Sequence, residues 1–167
     1  MGVRNWHDRL RGGEIRAHEA LPPHYPTCFG CGPQCEAGLH VLAHLEGSEV
    51  VTTHVFARHH SGAPGIVHGG LVSALVDDVL GYLLYVIREP GVTRRLEVDY
   101  VKPVLIGVAY DVRARIDRRD GRKVFVSCEG AGPDGVRAFA ATGLFIVVPL
   151  EHFDQGTGGS GGDPVAL

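Results

Sequence analysis

The sequence predicts an α+β domain in which a six-stranded antiparallel sheet wraps around one long helix. Three observations carry this expectation. Residues 95–100, 108–117, 123–130 and 136–148 either alternate apolar with polar side chains or are rich in β-branched and aromatic residues, as half-buried strands are. A further strand pair is expected within 39–56. Only the run from about 69 to 88 carries a sustained helical period.

Taken in chain order, "LHVLAHLEGSEVVTTHVF" (39–56) divides at Glu46-Gly47-Ser48 and reads as a hairpin. In the helical run, Leu71, Ala74, Leu75, Val79, Tyr82 and Val86 form an apolar stripe at i, i+3, i+4 spacing. Gly70, Ser73, Asp77 and Gly81 form a neighbouring stripe of small or polar residues, open to a ligand or another chain. A helix of about 20 residues spans roughly 30 Å, enough to cross six strands. Downstream, Val108, Tyr110, Val112, Ala114 and Ile116 alternate with charged residues. Pro103 with Gly107, "RRDGR" (118–122) and "GPDG" (132–135) then supply turns. The four later strands are expected to form an antiparallel meander.

The composition limits the function classes. With 167 residues, 44% of them hydrophobic, the chain suits one domain. Pro22, Pro23 and Pro26 mark residues 1–27 as an arm, with Trp6 and Tyr25 as its packing groups. The Gly-rich end closes a tail over 151–167, which leaves 28–150 as the domain. Sixteen Lys and Arg against nineteen Asp and Glu give a net charge of −3, so no basic field invites nucleic acid. No uninterrupted apolar stretch of about 18–20 residues suggests a membrane span, and the charged N-terminus lacks a signal-peptide core. Cys28, Cys31 and Cys35 lie together and Cys128 alone, which is no secreted disulfide framework. The expectation is a cytoplasmic protein.

The chemistry concentrates in "GIVHGGLVSALVDD" (65–78). A helix N-terminus offers unpaired N–H groups and about half a positive charge, and glycine lets a ligand oxygen approach the backbone. Gly69 and Gly70 are therefore candidate donors to a developing oxyanion. Asp77 lies eight residues beyond Gly69, about 12 Å along a helix axis, so both cannot reach one carbonyl. If they serve one site, they come from two chains, and a dimer with two equivalent sites follows. Asp78 points about 100° away, toward Ala74, Leu75 and Tyr82, and reads as a structural carboxylate. His68, at the helix start, reads as a residue that orients the loop or substrate.

These segments resemble the hotdog-fold thioesterases of the 4-hydroxybenzoyl-CoA thioesterase-like superfamily, especially the acyl-CoA branch that includes the phenylacetate-degradation type. The resemblance covers roughly residues 28–148. It is carried by "CFGCGPQCEAGLHV" (28–41), "HSGAPGIVHGGLVSALVDDVLG" (60–81) and "TRRLEVDYVKPVLIG" (93–107). It implies acyl-CoA hydrolysis at the boundary of a homodimer, or of a dimer of dimers. By match to the motif, Gly69 or Gly70 polarises the thioester carbonyl, Asp77 acts as base or nucleophile, and Thr93 helps hold the attacking water. His68, His60, Ser61 and Ser73 are implied substrate-binding residues; relatives often carry Asn or Gln where this chain has His60-Ser61-Gly62. No metal or organic cofactor is expected, because a thioester is already activated. The alternative on the same fold is a non-catalytic acyl-CoA binding or sensing module, against which Asp77 counts.

Two further clusters have plainer readings. Cys28-Phe-Gly-Cys31 is half of a zinc site by spacing, with His24 or His40 as candidates for a further ligand, but it lacks a second C-x-x-C and reads as a packed turn. Residues 94–123 hold nine Lys and Arg against five acids, an excess of four that could steer CoA phosphates. Arg113 and Arg115 are nevertheless outward residues of a strand, an ordinary solvated face.

Overall fold

The computed structural model describes residues 18–154. Trp6 and the Gly-rich segment 156–167 lie outside the described residues. The elements are β1 (His44–Glu46), β2 (Glu49–Val55), a 3-10 turn (Arg58–His60), β3 (Ser61–Ala63), β4 (Ile66–Val67), α1 (Gly69–Gly81), α2 (Leu83–Ile87), β5 (Gly91–Tyr100), β6 (Ala109–Asp120), β7 (Lys123–Ala131), β8 (Arg137–Val147) and α3 (Glu151–Asp154). Six strands form one sheet in the order β1-β2-β6-β7-β8-β5, and every pairing in it is antiparallel. The predicted sheet around a helix is present.

The expected four-strand meander is corrected in one respect. Strands β6, β7 and β8 are joined as a meander, but β5 pairs with β8 at the far edge and not with its sequence neighbour β6. The β5–β6 connection has other partners, which is the physical reason. Val67 N–H donates to Val104 O at 2.8 Å, Leu105 bridges Ile66, and Leu105 N–H donates to the Tyr110 hydroxyl at 2.9 Å. A connection anchored to β4 cannot close a tight hairpin, so β6 pairs with β2 instead.

The predicted single helix over 69–88 is also divided. Tyr85 N–H bonds Tyr82 O at 3.0 Å, a 3-10 step between α1 and α2, and Arg88 ends α2 in the left-handed region at φ 57°. Gly81 weakens the helix where the chain steps. The run Gly69–Ile87, with mean hydropathy 1.7, is apolar enough by composition to cross a bilayer, yet 61% of that window is buried inside the domain.

The apolar faces meet as the alternation requires. Tyr110, Val112 and Ala114 of β6, Val124, Val126 and Cys128 of β7, and Phe139, Ala141 and Phe145 of β8 pack on Leu75, Val76, Val79 and Leu80 of α1. α1 is buried more widely than its predicted stripe, because the segment before β1 also packs into the core. The packed chain begins upstream of residue 28: Ala20 bridges His44, Leu21 N–H bonds Ala43 O at 2.7 Å, and Leu21 is buried. Residues 20 and 21 are thus tied to the segment that leads into β1.

Candidate functional site

The polar stripe of α1 lies along the edge strand β5. Thr93 Oγ1 donates to Asp77 Oδ1 at 2.8 Å. Ser73 Oγ and the Tyr100 hydroxyl are 2.6 Å apart, and that hydroxyl donates to Gly69 O at 3.0 Å. Thr93 and Tyr100 are seven residues apart, an odd separation that would put them on opposite faces of a regular strand. A bulge at Arg94 resolves this: Thr93 pairs with Phe145 and Arg95 with Leu144, so one extra residue resets the phase. Both side chains then face α1. The stripe expected to lie open is thus partly covered by β5 within the same chain.

Asp77 and Gly69 face different cavities. Asp77, Thr93, Gly81, Leu84, Val92 and Phe145 help line one of about 440 Å³, which also reaches His24, Cys28 and Asp78. Gly69 lines a second, of about 350 Å³, with Tyr100, Val101 and Val104. The 12 Å separation expected from the helix rise is matched by two concavities along one helix.

At the helix start the glycines differ. His68 caps α1 through its ring, with Gly70 N–H donating to His68 Nδ1 at 3.0 Å, so that ring carries its proton on Nε2. Leu71 and Val72 N–H both turn to His68 O. Gly69 N–H has no acceptor among the described residues. In this structure the Gly70 N–H is engaged by the cap, while the Gly69 N–H is not.

His60 turns inward. Its ring is 3% exposed, takes the Ala57 N–H on Nδ1 at 3.1 Å, and packs on Phe56, so it lies beneath the loop instead of lining a cavity. Burial is also the main cause that lowers its pKa. Ser61 is exposed at the start of β3. His54, 4.6 Å from Phe56 between ring centroids, is buried on the same side and its pKa is lowered to about 4, first by desolvation and then by His60.

A second cluster lies beside Asp77. Asp78, expected to be structural, meets His24, Cys28 and Cys31: Asp78 Oδ1 is 3.2 Å from His24 Nδ1 and 3.4 Å from Cys28 Sγ, and Cys31 Sγ is 3.3 Å from His24 Nδ1. Burial is the largest influence on His24 and acts to lower its pKa. Hydrogen bonds to Asp78 and Cys28 outweigh it and hold the ring at about 9. The Cys28 thiol is lowered to about 3 by Cys31 and then His24, while hydrogen bonding to Cys28 pushes Cys31 upward. Burial raises Asp78. Asp78 Oδ2 and His24 Nε2 are buried without a hydrogen-bond partner among the described residues. Cys35 and His40 lie outside this group.

The basic excess over 94–123 is largely neutralised locally. Arg113 pairs with Glu46 and Glu49, Arg115 with Asp117, Arg95 with Glu97, Lys102 with Asp134 and Arg119 with Glu89. Arg118 lies 3.4 Å over the Phe125 ring.

Residues 64–138 match the family model of the thioesterase superfamily. The acyl-coenzyme A thioesterase THEM4 of Xenopus laevis is 33% identical over 86 residues, 51% of this chain and 39% of that protein. The chain spans about two fifths of the length of the THEM4 relatives it matches. Among solved structures, RHA08564, described as a thioesterase superfamily protein, aligns with TM-score 0.67 at 26% identity, over 83% of this chain and 64% of that one. The TT0310 protein of Thermus thermophilus aligns with TM-score 0.60 at 26% identity, over 70% of this chain and 97% of that one. The domain has the hotdog fold, and its central part, residues 64–138, is similar to the thioesterase superfamily.

Proposed function

We propose that this protein is an acyl-CoA thioesterase that works as a homodimer, each site combining Asp77 and Thr93 of one chain with the Gly69 N–H of the other. The observation that carries the reading is the Thr93–Asp77 hydrogen bond in a largely apolar cavity, apart from the bare helix-start donor at Gly69. Among the described residues, the cavity that Asp77 lines and the one that Gly69 lines have no lining residue in common. A second copy in antiparallel contact supplies each half with its complement.

In this mechanism Asp77 takes a proton from water as the water attacks the thioester carbon. Thr93, donating to Asp77 Oδ1, fixes the carboxylate so that Oδ2 faces the water. The carbonyl oxygen becomes an oxyanion held by Gly69 N–H at the positive end of α1. The tetrahedral intermediate expels the CoA thiolate, which takes the proton that Asp77 accepted, and the acid is released with the carboxylate regenerated. Exposed Tyr100, Val101, Ile66 and Leu105 around the Gly69 cavity give an apolar surface for the acyl group or the partner chain. The four free thiols fit a cytoplasmic setting.

Free-thiol release from a panel of acyl-CoA esters tests the reading. Wild type is expected to hydrolyse at least one ester and Asp77→Asn to be inactive. Undiminished hydrolysis by the variant overturns the mechanism, and no hydrolysis by wild type points instead to an acyl-CoA binding module. Sedimentation at assay concentration is expected to give a dimer or tetramer; an active monomer contradicts the shared site.

A further inference from the structure

We infer that His24, Cys28, Cys31 and Asp78 form a structural zinc site that fastens the segment before β1 to the core helix. The first ground is the donor set. Two cysteine sulfurs, one imidazole nitrogen and one carboxylate are the ligands of a borderline-soft, four-coordinate cation, and zinc fits that mixture. Oxygen-seeking magnesium and calcium do not favour thiolates.

The second ground is the spacing. Zinc bonds of about 2.0–2.3 Å at tetrahedral angles put ligand atoms about 3.3–3.8 Å apart. The contacts here are 3.2 Å from nitrogen to oxygen, 3.4 Å from sulfur to oxygen and 3.3 Å from sulfur to nitrogen, and all four ligand atoms lie within 4.8 Å of one another. Residues 24, 28 and 31 come from one turn and Asp78 from α1, so four side chains from two distant segments converge on one point.

The third ground is the backbone that makes the convergence possible. A Cβ on Gly30 would lie 2.2 Å from Asp78 Cγ, and one on Gly32 would lie 2.4 Å from Cys28 N. Only glycine lets the C-x-x-C-G turn close on itself and press against the carboxylate. His24 N–H donates to Cys31 Sγ at 3.2 Å. Amide donors to ligand sulfurs are the surroundings a metal-bound thiolate uses.

The fourth ground is charge. Two thiols and a carboxylate gathered around one point make a donor set whose charge on binding complements a divalent cation. A divalent ion held through Asp78 Oδ1 lets both thiols release their protons on binding. With four protein ligands the ion has no position left for substrate, so its role is to hold the wall of the Asp77 cavity and not to take part in hydrolysis.

The full chain, produced with zinc in the medium and purified without chelator, is expected to carry one zinc per chain by elemental analysis. After chelation and reloading with cobalt(II), it is expected to show the intense visible bands of tetrahedral cobalt and a thiolate-to-cobalt charge-transfer band. Cys35→Ser is expected to keep both, while Cys31→Ser and Asp78→Asn lose the metal or the tetrahedral spectrum. Wild type that stays metal-free after zinc loading and dialysis, and gives no charge-transfer band, overturns the inference, as does a Cys28–Cys31 disulfide in freshly purified protein. Loss of the band in Cys35→Ser overturns the ligand set. Should Cys31→Ser fail to fold, the wild-type cobalt spectrum decides alone, because that band requires a bound thiolate.

Discussion

Thr93 Oγ1 donates a 2.8 Å hydrogen bond to Asp77 Oδ1, joining the edge strand β5 to the core helix at a carboxylate that lines the apolar cavity. In the proposed mechanism this hydroxyl orients the base without altering its identity. Asp77→Asn is therefore expected to lower kcat for thioester hydrolysis by about 10²–10⁴, the usual contribution of a general base. Thr93→Ala is expected to cost less, and Thr93→Ser to restore most of the loss. Steady-state kinetics on the three variants, with thermal denaturation as a folding control, checks the ranking; Thr93→Ser behaving like Thr93→Ala would remove the hydroxyl from the mechanism.

His68 closes the helix start by accepting the Gly70 N–H. His68→Ala is expected to destabilise the fold by about 1 kcal/mol, the usual cost of a lost N-cap, and His68→Asn to recover most of it. Because Gly69 N–H is not the capped donor, kcat should fall far less in His68→Ala than in Asp77→Asn. Denaturant unfolding and thiol-release kinetics on the same samples separate the two effects.

Tyr100 links Ser73 to the Gly69 carbonyl through one hydroxyl. Tyr100→Phe keeps the ring and removes both bonds, so a small loss of stability, about 1 kcal/mol per bond, is expected. If the ring borders the acyl group, KM for apolar acyl-CoA esters should change less in Tyr100→Phe than in Tyr100→Ala. Equal KM values in the two variants would place the ring outside the acyl path.

Gly130 carries Phe139 across the β7–β8 pair, and a Cβ there would meet the Phe139 ring at 2.1 Å. That ring is fully buried and has nowhere to move. Gly130→Ala is expected to cost about 1–3 kcal/mol through overpacking. A melting temperature within a degree of wild type would show that the sheet gives way at this point.

His54 provides the pH test. Its ring stays neutral in the folded chain down to about pH 4, whereas in the unfolded chain it takes a proton near 6.5. The folded state binds fewer protons in that window, so stability is full above about 6.5 and falls as pH drops toward 4, by up to about 3 kcal/mol. His60 acts in the same direction. In His54→Phe the slope of unfolding free energy against pH between 4 and 6.5 should be clearly shallower; an unchanged slope would assign the acid sensitivity elsewhere.

Much of this architecture is legible in local pattern. Alternation identifies β6, β7 and β8 because a strand with one wet face repeats every two residues. The helix at 69–81 announces itself by its stripe. Tyr100 escapes that reading. Its place on α1 depends on the bulge at Arg94, and nothing in "TRRLEVDY" marks which residue is the extra one. The placement of β5 beside β8 was equally hidden, since it depends on the β5–β6 connection finding partners on β4.

The sequence by itself determined the element types, the helix that opens on glycine, and a separation of Gly69 and Asp77 too long for one chain to bridge, because periodicity and helix rise are local properties. Only the tertiary structure decided which donors stay free and which side chains meet. The His68 ring takes the Gly70 N–H, His60 turns inward, and His24, Cys28 and Cys31 reach Asp78 across more than 45 residues of intervening chain. Hydrogen-bond partners and buried clusters are settled by how the segments pack, and packing depends on contacts that have no period in the sequence.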